Sequence, residues 1–411
     1  MRFKKITVIL ILVLSALAIS FAIAEYFARR YFPQMTYNLA KERTFAIFQE
    51  HENMPFTLKR NVKKYIFTGK TVEFSNTFNT NSYGFRGKEI SKEKPANVFR
   101  ILMLGDSMTL GWGVEEDQTF SYIAEQELNK TAESHNLGIR FEVVNAGFTA
   151  GRSLDSYYVY LRDEAFQFNP DLIIINHLPY NDYAPDMMES VWKGQDINGL
   201  PQKVKSNFND IKDGYQVDKY KETWRYEIPF LRNTHSGILF MDALDRYTPN
   251  LVKIIRKYVL KAPPRPRLIA SGEIAFCLST LIEKYCPPEM MGLFEKGQPL
   301  IIGMKNLATE NSSKIAITII PSLQQIEDLM IHENTELNTK NAEPQRTLTN
   351  FLTENNIKSL NFLPFFVSSI WRDHYYQLDW HWNREGHKLA GEKLADFIAN
   401  EYFPVLNSNK N

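Results

Sequence analysis

The chain has 411 residues, 44% of them hydrophobic and 23% charged, with a formal net charge of +1. That is enough material for one large core or for a core with a second module, and the near-zero charge leaves no electrostatic footprint for nucleic acid. Two cysteines, Cys277 and Cys286, are too few for a disulfide framework, and no cysteine or histidine set has zinc-ligand spacing, so neither a metal nor another cofactor is expected.

The first predicted element is a membrane segment. Arg2, Lys4 and Lys5 precede Ile6–Ala24, 19 residues without a charge, a length that crosses a bilayer as helix. Cleavable signals usually have shorter apolar runs, although Ala22-Ile23-Ala24 resembles a cleavage site. Residues 1–25 are therefore read as an anchor, with a cleaved signal as the alternative. Basic residues also follow the run, at Arg29 and Arg30. The expected topology is single-pass, with the amino terminus in the cytoplasm and the remainder extracytoplasmic.

Residues 26–96 read as a stalk and lead-in, with strand-like alternation over Thr71–Phe78 and a polar linker over Lys88–Pro95. From Val98 the pattern changes. Short apolar runs at Phe99–Leu104, Phe141–Asn145, Leu172–Asn176 and Ile315–Pro321 predict buried strands, with helical patterns between them at Phe120–Leu128 and Leu389–Phe397. Strands alternating with helices argue for a doubly wound α/β sheet, whose ligand sites lie beyond the carboxyl ends of the strands. Residues 183–311 are too long for a simple connection and are expected to form an insertion. Within it, Ile238–Val259 has helical spacing. Val252–Arg267 carries six basic residues and no acidic one, which reads first as a solvated face and second as a surface for anionic lipid or glycan.

Gly105-Asp106-Ser107 stands where the first strand ends and a helix should begin. That position puts a hydroxyl at the sheet's carboxyl edge near backbone N–H groups able to stabilise an oxyanion, although Asp and Ser are also ordinary helix caps. Near the carboxyl terminus, Asp379-Trp380-His381 brings a carboxylate and an imidazole together before another helix. His381 is the candidate base for Ser107 and Asp379 the candidate orienting acid, with Asp373 as the fallback. Asn383 is expected to cap the following helix, His387 to pack or cap a helix, and His177 to be a satisfied buried histidine, with a place lining the same cleft as Asn181 as its alternative. The aromatic cluster Trp371, Tyr375, Tyr376, Trp380 and Trp382 is expected chiefly to pack, with a sugar or acyl surface as the functional alternative.

In these residues the chain resembles the SGNH/GDSL hydrolase superfamily. Leu104-Gly105-Asp106-Ser107, Asn145-Ala146-Gly147, Tyr180-Asn181-Asp182 and Asp379–Gly386 correspond to its four blocks in order, and Asn81–Gly87 is similar to the lead-in of membrane-anchored members. The resemblance covers residues 97–182 and 314–400. It implies a three-layer α/β/α, flavodoxin-like domain over residues 97–405, with a mostly parallel sheet. It also implies an oxyanion hole from the N–H groups of Ser107 and Gly147 and the side-chain amide of Asn181. Pro179 replaces the usual glycine of the third block, and the Asp-x-His spacing is one residue shorter than in many members. The function implied is ester hydrolysis through an acyl-enzyme on Ser107, with an O-acylated envelope glycan or lipid as substrate. Acyl transfer by the same residues and a catalytically silent assembly protein are the alternatives.

Overall fold

A computed structural model of the chain describes residues 2–68, 73–147, 153–183, 192–204, 224–260, 288–331, 343–367, 371–377 and 379–403. They fall into two compact units. One comprises Met1–Phe45, Thr68–Phe74 and Asn209–Arg267; the other comprises Ala46–Phe67, Ser75–Phe208 and Leu268–Asn411.

The larger unit is built on a five-stranded sheet with strands β1 (Val98–Gly105), β2 (Arg140–Gly147), β3 (Leu172–His177), β4 (Lys314–Ile319) and β5 (Lys358–Asn361). Their order is β5-β4-β3-β1-β2, and every neighbouring pair is parallel. The chain thus moves one way from β1 to β2 and the other way from β1 to β3, giving the flavodoxin-like order with its crevice beside β1.

Alternation along the strands sorts the core into two layers. Leu102, Leu104, Ile173, Ile175 and Ile317 face one side, against helices α3 (Leu154–Asp163), α4 (Pro288–Glu310) and α6 (Glu343–Glu354). Ile101, Met103, Ile174 and Ala316 face the other, against α2 (Phe120–Ser134), α5 (Leu323–Ile331) and α7 (Arg384–Tyr402). A short helix, α1 (Ser107–Leu110), follows β1 directly.

The four strands expected from apolar runs are present. The fifth, Lys358-Ser359-Leu360-Asn361, is a half-exposed edge strand without an apolar run. The expected insertion is not uniform. The described residues 224–260 cluster with the amino-terminal segment, whereas α4 lies on the sheet and buries Leu300, Ile301 and Met304 in its core. Cys277 and Cys286 lie outside the described residues.

In the smaller unit the helix Arg2–Tyr31 is apolar over Lys5–Tyr31, long enough to cross a membrane, and has exposed hydrophobic side chains. The helical expectation for Ile238–Val259 resolves into a helix over His235–Tyr247, a second over Pro249–Ile254, and a π-turn over Ile255–Val259. The break falls at Thr248, ahead of Pro249, where the proline ring disfavours helical backbone in the residue before it.

At the amino end of the sheet, Arg100 and Glu142 are cross-strand partners on β1 and β2, and both are buried. The Arg100 Nε donates to Glu142 Oε2 at 2.6 Å, and Nη1 donates to the carbonyl of Phe168. Removing one member of a buried ion pair leaves an uncompensated charge. Glu142→Ala is expected to destabilise this unit by about 3 kcal/mol, read as a lower denaturant midpoint in detergent. Replacing Arg100 and Glu142 together by Met and Leu should recover most of that loss.

Candidate active site

Register places the site. Gly105 pairs with Gly147 on one side and Asn176 on the other, so β1, β2 and β3 end at one level. Ser107 is the first residue of α1, where a helix start leaves N–H groups without intrahelical acceptors. Asp106 caps that start, its buried carboxylate accepting from the Met108 N–H at 2.9 Å. The cap therefore holds the backbone next to Ser107 and leaves the serine hydroxyl to other partners.

Those partners come from the far end of the chain. His381 Nε2 lies 2.7 Å from Ser107 Oγ, and His381 Nδ1 lies 2.6 Å from Asp379 Oδ1. A carboxylate only accepts, so Nδ1 carries the ring proton and Nε2 is left to accept the serine hydroxyl. The Asp379 side chain is 6% exposed and that of His381 24%, which shields their hydrogen bond while the ring edge still meets solvent. Such a chain can withdraw a proton from the serine and stabilise the resulting imidazolium. Asp373, the alternative acid, is exposed, and its recorded part in the site is a backbone carbonyl that accepts from Asn383 Nδ2.

The Asp379-to-His381 contact requires a tight reversal. Trp380 between them sits at φ 70°, in the left-handed region that bulky residues rarely adopt. Flanking bonds hold the turn: Tyr376 N–H donates to the His381 carbonyl at 2.8 Å, and Trp380 N–H to the Tyr376 carbonyl at 3.0 Å. Asn383 then caps α7, its Oδ1 accepting from the N–H groups of Glu385 and Gly386.

The remaining predicted residues fall as follows. Gly147 stands at the end of β2, and a Cβ there would come within 2.3 Å of the Leu110 nitrogen, so only glycine lets α1 approach this closely. Its N–H donates to Asn145 Oδ1 at 3.0 Å. Serving an oxyanion therefore requires this donor to be shared or released. Pro179 opens a short helix, Pro179–Asp182, where no amide proton is needed, and the Asn181 backbone lies in it. The side chain of Asn181 lies outside the described residues, as does that of Trp371.

Three supporting contacts were not foreseen from the sequence. Asp182 is buried and accepts from the Leu178 N–H at 2.9 Å and the Tyr157 hydroxyl at 3.2 Å, with His177 Nδ1 2.7 Å away. This fixes the helix that carries Asn181; His177 is buried as expected, with Nδ1 engaged but Nε2 without a hydrogen-bond partner among the described residues. Burial raises the Asp182 carboxyl above its ordinary value, partly offset by His177.

The second contact is Asn145. Its Nδ2 donates to the Thr109 carbonyl at 2.8 Å and to Ser121 Oγ at 2.9 Å, tying β2 to α1 and α2.

The third is Arg86, in the lead-in. It is buried, and its guanidinium donates to the carbonyls of Leu110, Gly111 and Val114. The turn it grips carries Trp112, whose ring stacks on His381 with centroids 5.8 Å apart, and Gly113, whose carbonyl accepts the Tyr376 hydroxyl at 2.8 Å. Gly111 ends α1 at φ 79°, a left-handed conformation that suits glycine. Arg86 thus braces one side of a turn whose other side touches the imidazole.

His387 also lies in this layer, buried against Phe120 and Trp382, with Nδ1 accepting from the Phe120 N–H at 3.3 Å. Burial, assisted by the charge of Arg86, pushes it down to about 3, so it is neutral in the folded chain.

No family model matches the chain, and no curated protein matches it. Solved structures similar to it include a putative lipolytic protein of the G-D-S-L family from Desulfitobacterium hafniense, at 12% identity and TM-score 0.34, covering 73% of this chain and 99% of that one. A psychrotrophic esterase from Pseudoalteromonas sp. is similar at 11% identity and TM-score 0.34, covering 74% of this chain and 97% of that one. A two-domain esterase active on acetylated mannans, co-crystallised with mannopentaose, is similar at 12% identity and TM-score 0.34, covering 74% of this chain and 49% of that one. At these scores the likeness carries no weight, and the chemistry rests on the residues themselves.

Two outcomes follow from the buried layer. Arg86→Met removes the donor to three carbonyls and is expected to slow adduct formation at Ser107 by a serine-directed organophosphonate by at least about 10-fold, the scale of one lost charge-assisted hydrogen bond. Arg86→Lys should fall between, as measured by the rate of adduct formation. For His387 the folded value lies below its ordinary 6.5. The unfolded chain therefore takes up the proton first, and the contribution to stability, complete above pH 6.5, is lost as pH falls toward 3. His387→Gln should flatten the decline of the denaturant midpoint between pH 7 and 4.5 relative to the unaltered chain.

Proposed function

We propose that the chain is a serine esterase that cleaves an ester-linked acyl group through an acyl-enzyme on Ser107. The observation that carries this reading is the unbroken line from Asp379 Oδ1 through His381 to Ser107 Oγ, with contacts of 2.6 and 2.7 Å. In the proposed reaction Ser107 Oγ attacks the ester carbonyl as its proton passes to His381 Nε2. Asp379 holds the ring orientation and stabilises its positive charge. The tetrahedral oxyanion is met by the Ser107 N–H, by the Asn181 amide, and by the Gly147 N–H once Asn145 yields it. Collapse expels the alcohol, which takes the proton from His381. Water then repeats the sequence to release the acid and restore the serine.

The proposed substrate is an O-acyl group on an envelope glycan or lipid. The support is the apolar amino-terminal helix, read as a single-pass anchor that places the catalytic unit on the extracytoplasmic side.

The full chain in mild detergent, treated with a serine-directed organophosphonate, should gain one adduct mapped by peptide mass spectrometry to the segment Gly105–Met108. Ser107→Ala should abolish both adduct and hydrolysis of short-chain aryl esters. Asp379→Asn should lower turnover on the scale of about 10⁴-fold, because the amide favours the wrong imidazole tautomer. Asp373→Asn should leave turnover nearly unchanged. Full activity in the Ser107→Ala protein would place the chemistry elsewhere.

A further inference from the structure

The smaller unit exposes apolar side chains beyond those of its amino-terminal helix. In the helix His235–Tyr247, Ile238 and Met241 are buried, while Phe240 and Tyr247, seven residues apart on one face, are 55% and 76% exposed. Over the next segment Val252 is buried and Arg256 turns inward to a paired contact with Glu227 at 2.7 and 2.9 Å. Leu251, Ile254 and Tyr258, spaced three and four residues apart, face outward. Large apolar side chains repeated on the outer face of consecutive helices are unusual on a water-facing surface.

The same helices are tied to the end of the apolar amino-terminal run. Glu25, the first charged residue after Ala24, accepts hydrogen bonds from the N–H groups of His235 and Ser236 at 3.1 and 2.9 Å and from the Ser236 hydroxyl at 2.8 Å. His235 Nδ1 in turn accepts from the Gln34 N–H at 2.7 Å, and Phe230 packs on Phe21 with ring centroids 5.4 Å apart. The uncharged run of 19 residues, Ile6–Ala24, spans roughly 28 Å as helix, about the thickness of a bilayer's hydrocarbon. Glu25 then stands at the boundary of that layer, and the helix it caps begins there.

We propose that the helices between His235 and Val259 lie in the interfacial layer of the bilayer that the amino-terminal helix crosses. Leu251, Ile254 and Tyr258 enter the acyl boundary, and the neighbouring lysines meet anionic headgroups. Continuity and charge both point to lipid as the occupant. The outward stripe belongs to the unit that holds the spanning helix, and Lys253 and Lys257 are exposed within it. Arg29 and Arg30 lie in the last turn of the spanning helix, beyond Glu25, and Val252–Arg267 contains no acidic residue. An apolar face flanked by lysines is the pattern of a helix lying in the membrane plane. This rests on the reading of residues 6–24 as a membrane span.

The test uses the full chain reconstituted in vesicles of phosphatidylcholine and phosphatidylglycerol containing a phospholipid with an acyl-chain diazirine. After irradiation, lipid adducts are mapped by peptide mass spectrometry. Adducts are expected both in residues 6–24 and in residues 249–259. Leu251→Ser, Ile254→Ser and Tyr258→Ser combined should lower the second yield at least several-fold and leave the first unchanged. Exchanging phosphatidylglycerol for phosphatidylcholine should also lower the second yield selectively. Adducts confined to 6–24 would overturn the proposal while leaving the span intact. Adducts in neither region would overturn both.

Discussion

Because β1 to β4 are buried on both faces, their side chains are consumed by packing, and polar chemistry can emerge only where the strands stop. Leu102 and Leu104 are spent on one layer, Ile101 and Met103 on the other. Asn176, a polar residue inside a central strand, is turned to structural use. Its Nδ2 donates to the Leu104 carbonyl at 3.0 Å, and its Oδ1 accepts from the Thr318 hydroxyl at 2.8 Å. The common level of Gly105, Gly147 and Asn176 then brings the residues that follow three strands to one edge. A hydroxyl, a glycine N–H and the Pro179–Asp182 helix converge there without any of them being neighbours in sequence.

Beneath that edge lies a layer of buried polar groups whose charge is rationed by desolvation. Arg86 is pushed down to about 10 by burial, which still leaves it a cation at neutral pH. Its charge joins burial in keeping His387 neutral. Satisfaction is incomplete. Among the described residues Arg86 Nε, Thr109 Oγ1 and His387 Nε2 are buried without a hydrogen-bond partner. Each carries a desolvation cost that the surrounding core must offset. Such costs are ordinarily eliminated unless the geometry they permit is useful. Here the geometry is a turn, residues 110–114, gripped by three donated bonds on one side and an imidazole stack on the other.

The sequence made legible what depends on short-range pattern. Apolar runs marked β1 to β4, and Gly105-Asp106-Ser107 and Asp379-Trp380-His381 marked the residues that meet at 2.7 Å across 274 positions. It concealed what depends on tertiary context. Strand β5 is polar because it is an edge, and its hydrogen bonds to β4, not its side chains, make it a strand. Helix α4 lies within the stretch read from its length alone as an insertion; it runs through Gly297 and Pro299 and is held by packing on the sheet. Arg86 carried only the likeness of its neighbourhood to a known lead-in. No local pattern distinguishes an arginine that donates to carbonyls 24 to 28 residues away from one that faces solvent.

The short Asp-x-His spacing shows how local strain can replace a missing residue. In an extended backbone, side chains two apart point the same way but run roughly parallel, which does not close a carboxylate onto the near ring nitrogen. Placing Trp380 at φ 70° folds the segment back so that Asp379 Oδ1 reaches His381 Nδ1 at 2.6 Å. A left-handed non-glycine residue costs about 1–3 kcal/mol, and it persists only where the surroundings dictate it. Here they do: the Tyr376 N–H holds the His381 carbonyl, the Trp380 N–H is held by the Tyr376 carbonyl, and the Tyr375–Trp382 bridge closes the loop behind them. Tyr376 also reaches Gly113 through its hydroxyl, so the residue that enforces the strained turn is tied to the turn that Arg86 braces. Asp379, His381 and the loop after Ser107 are therefore positioned by one connected set of bonds that meet at the 2.7 Å contact.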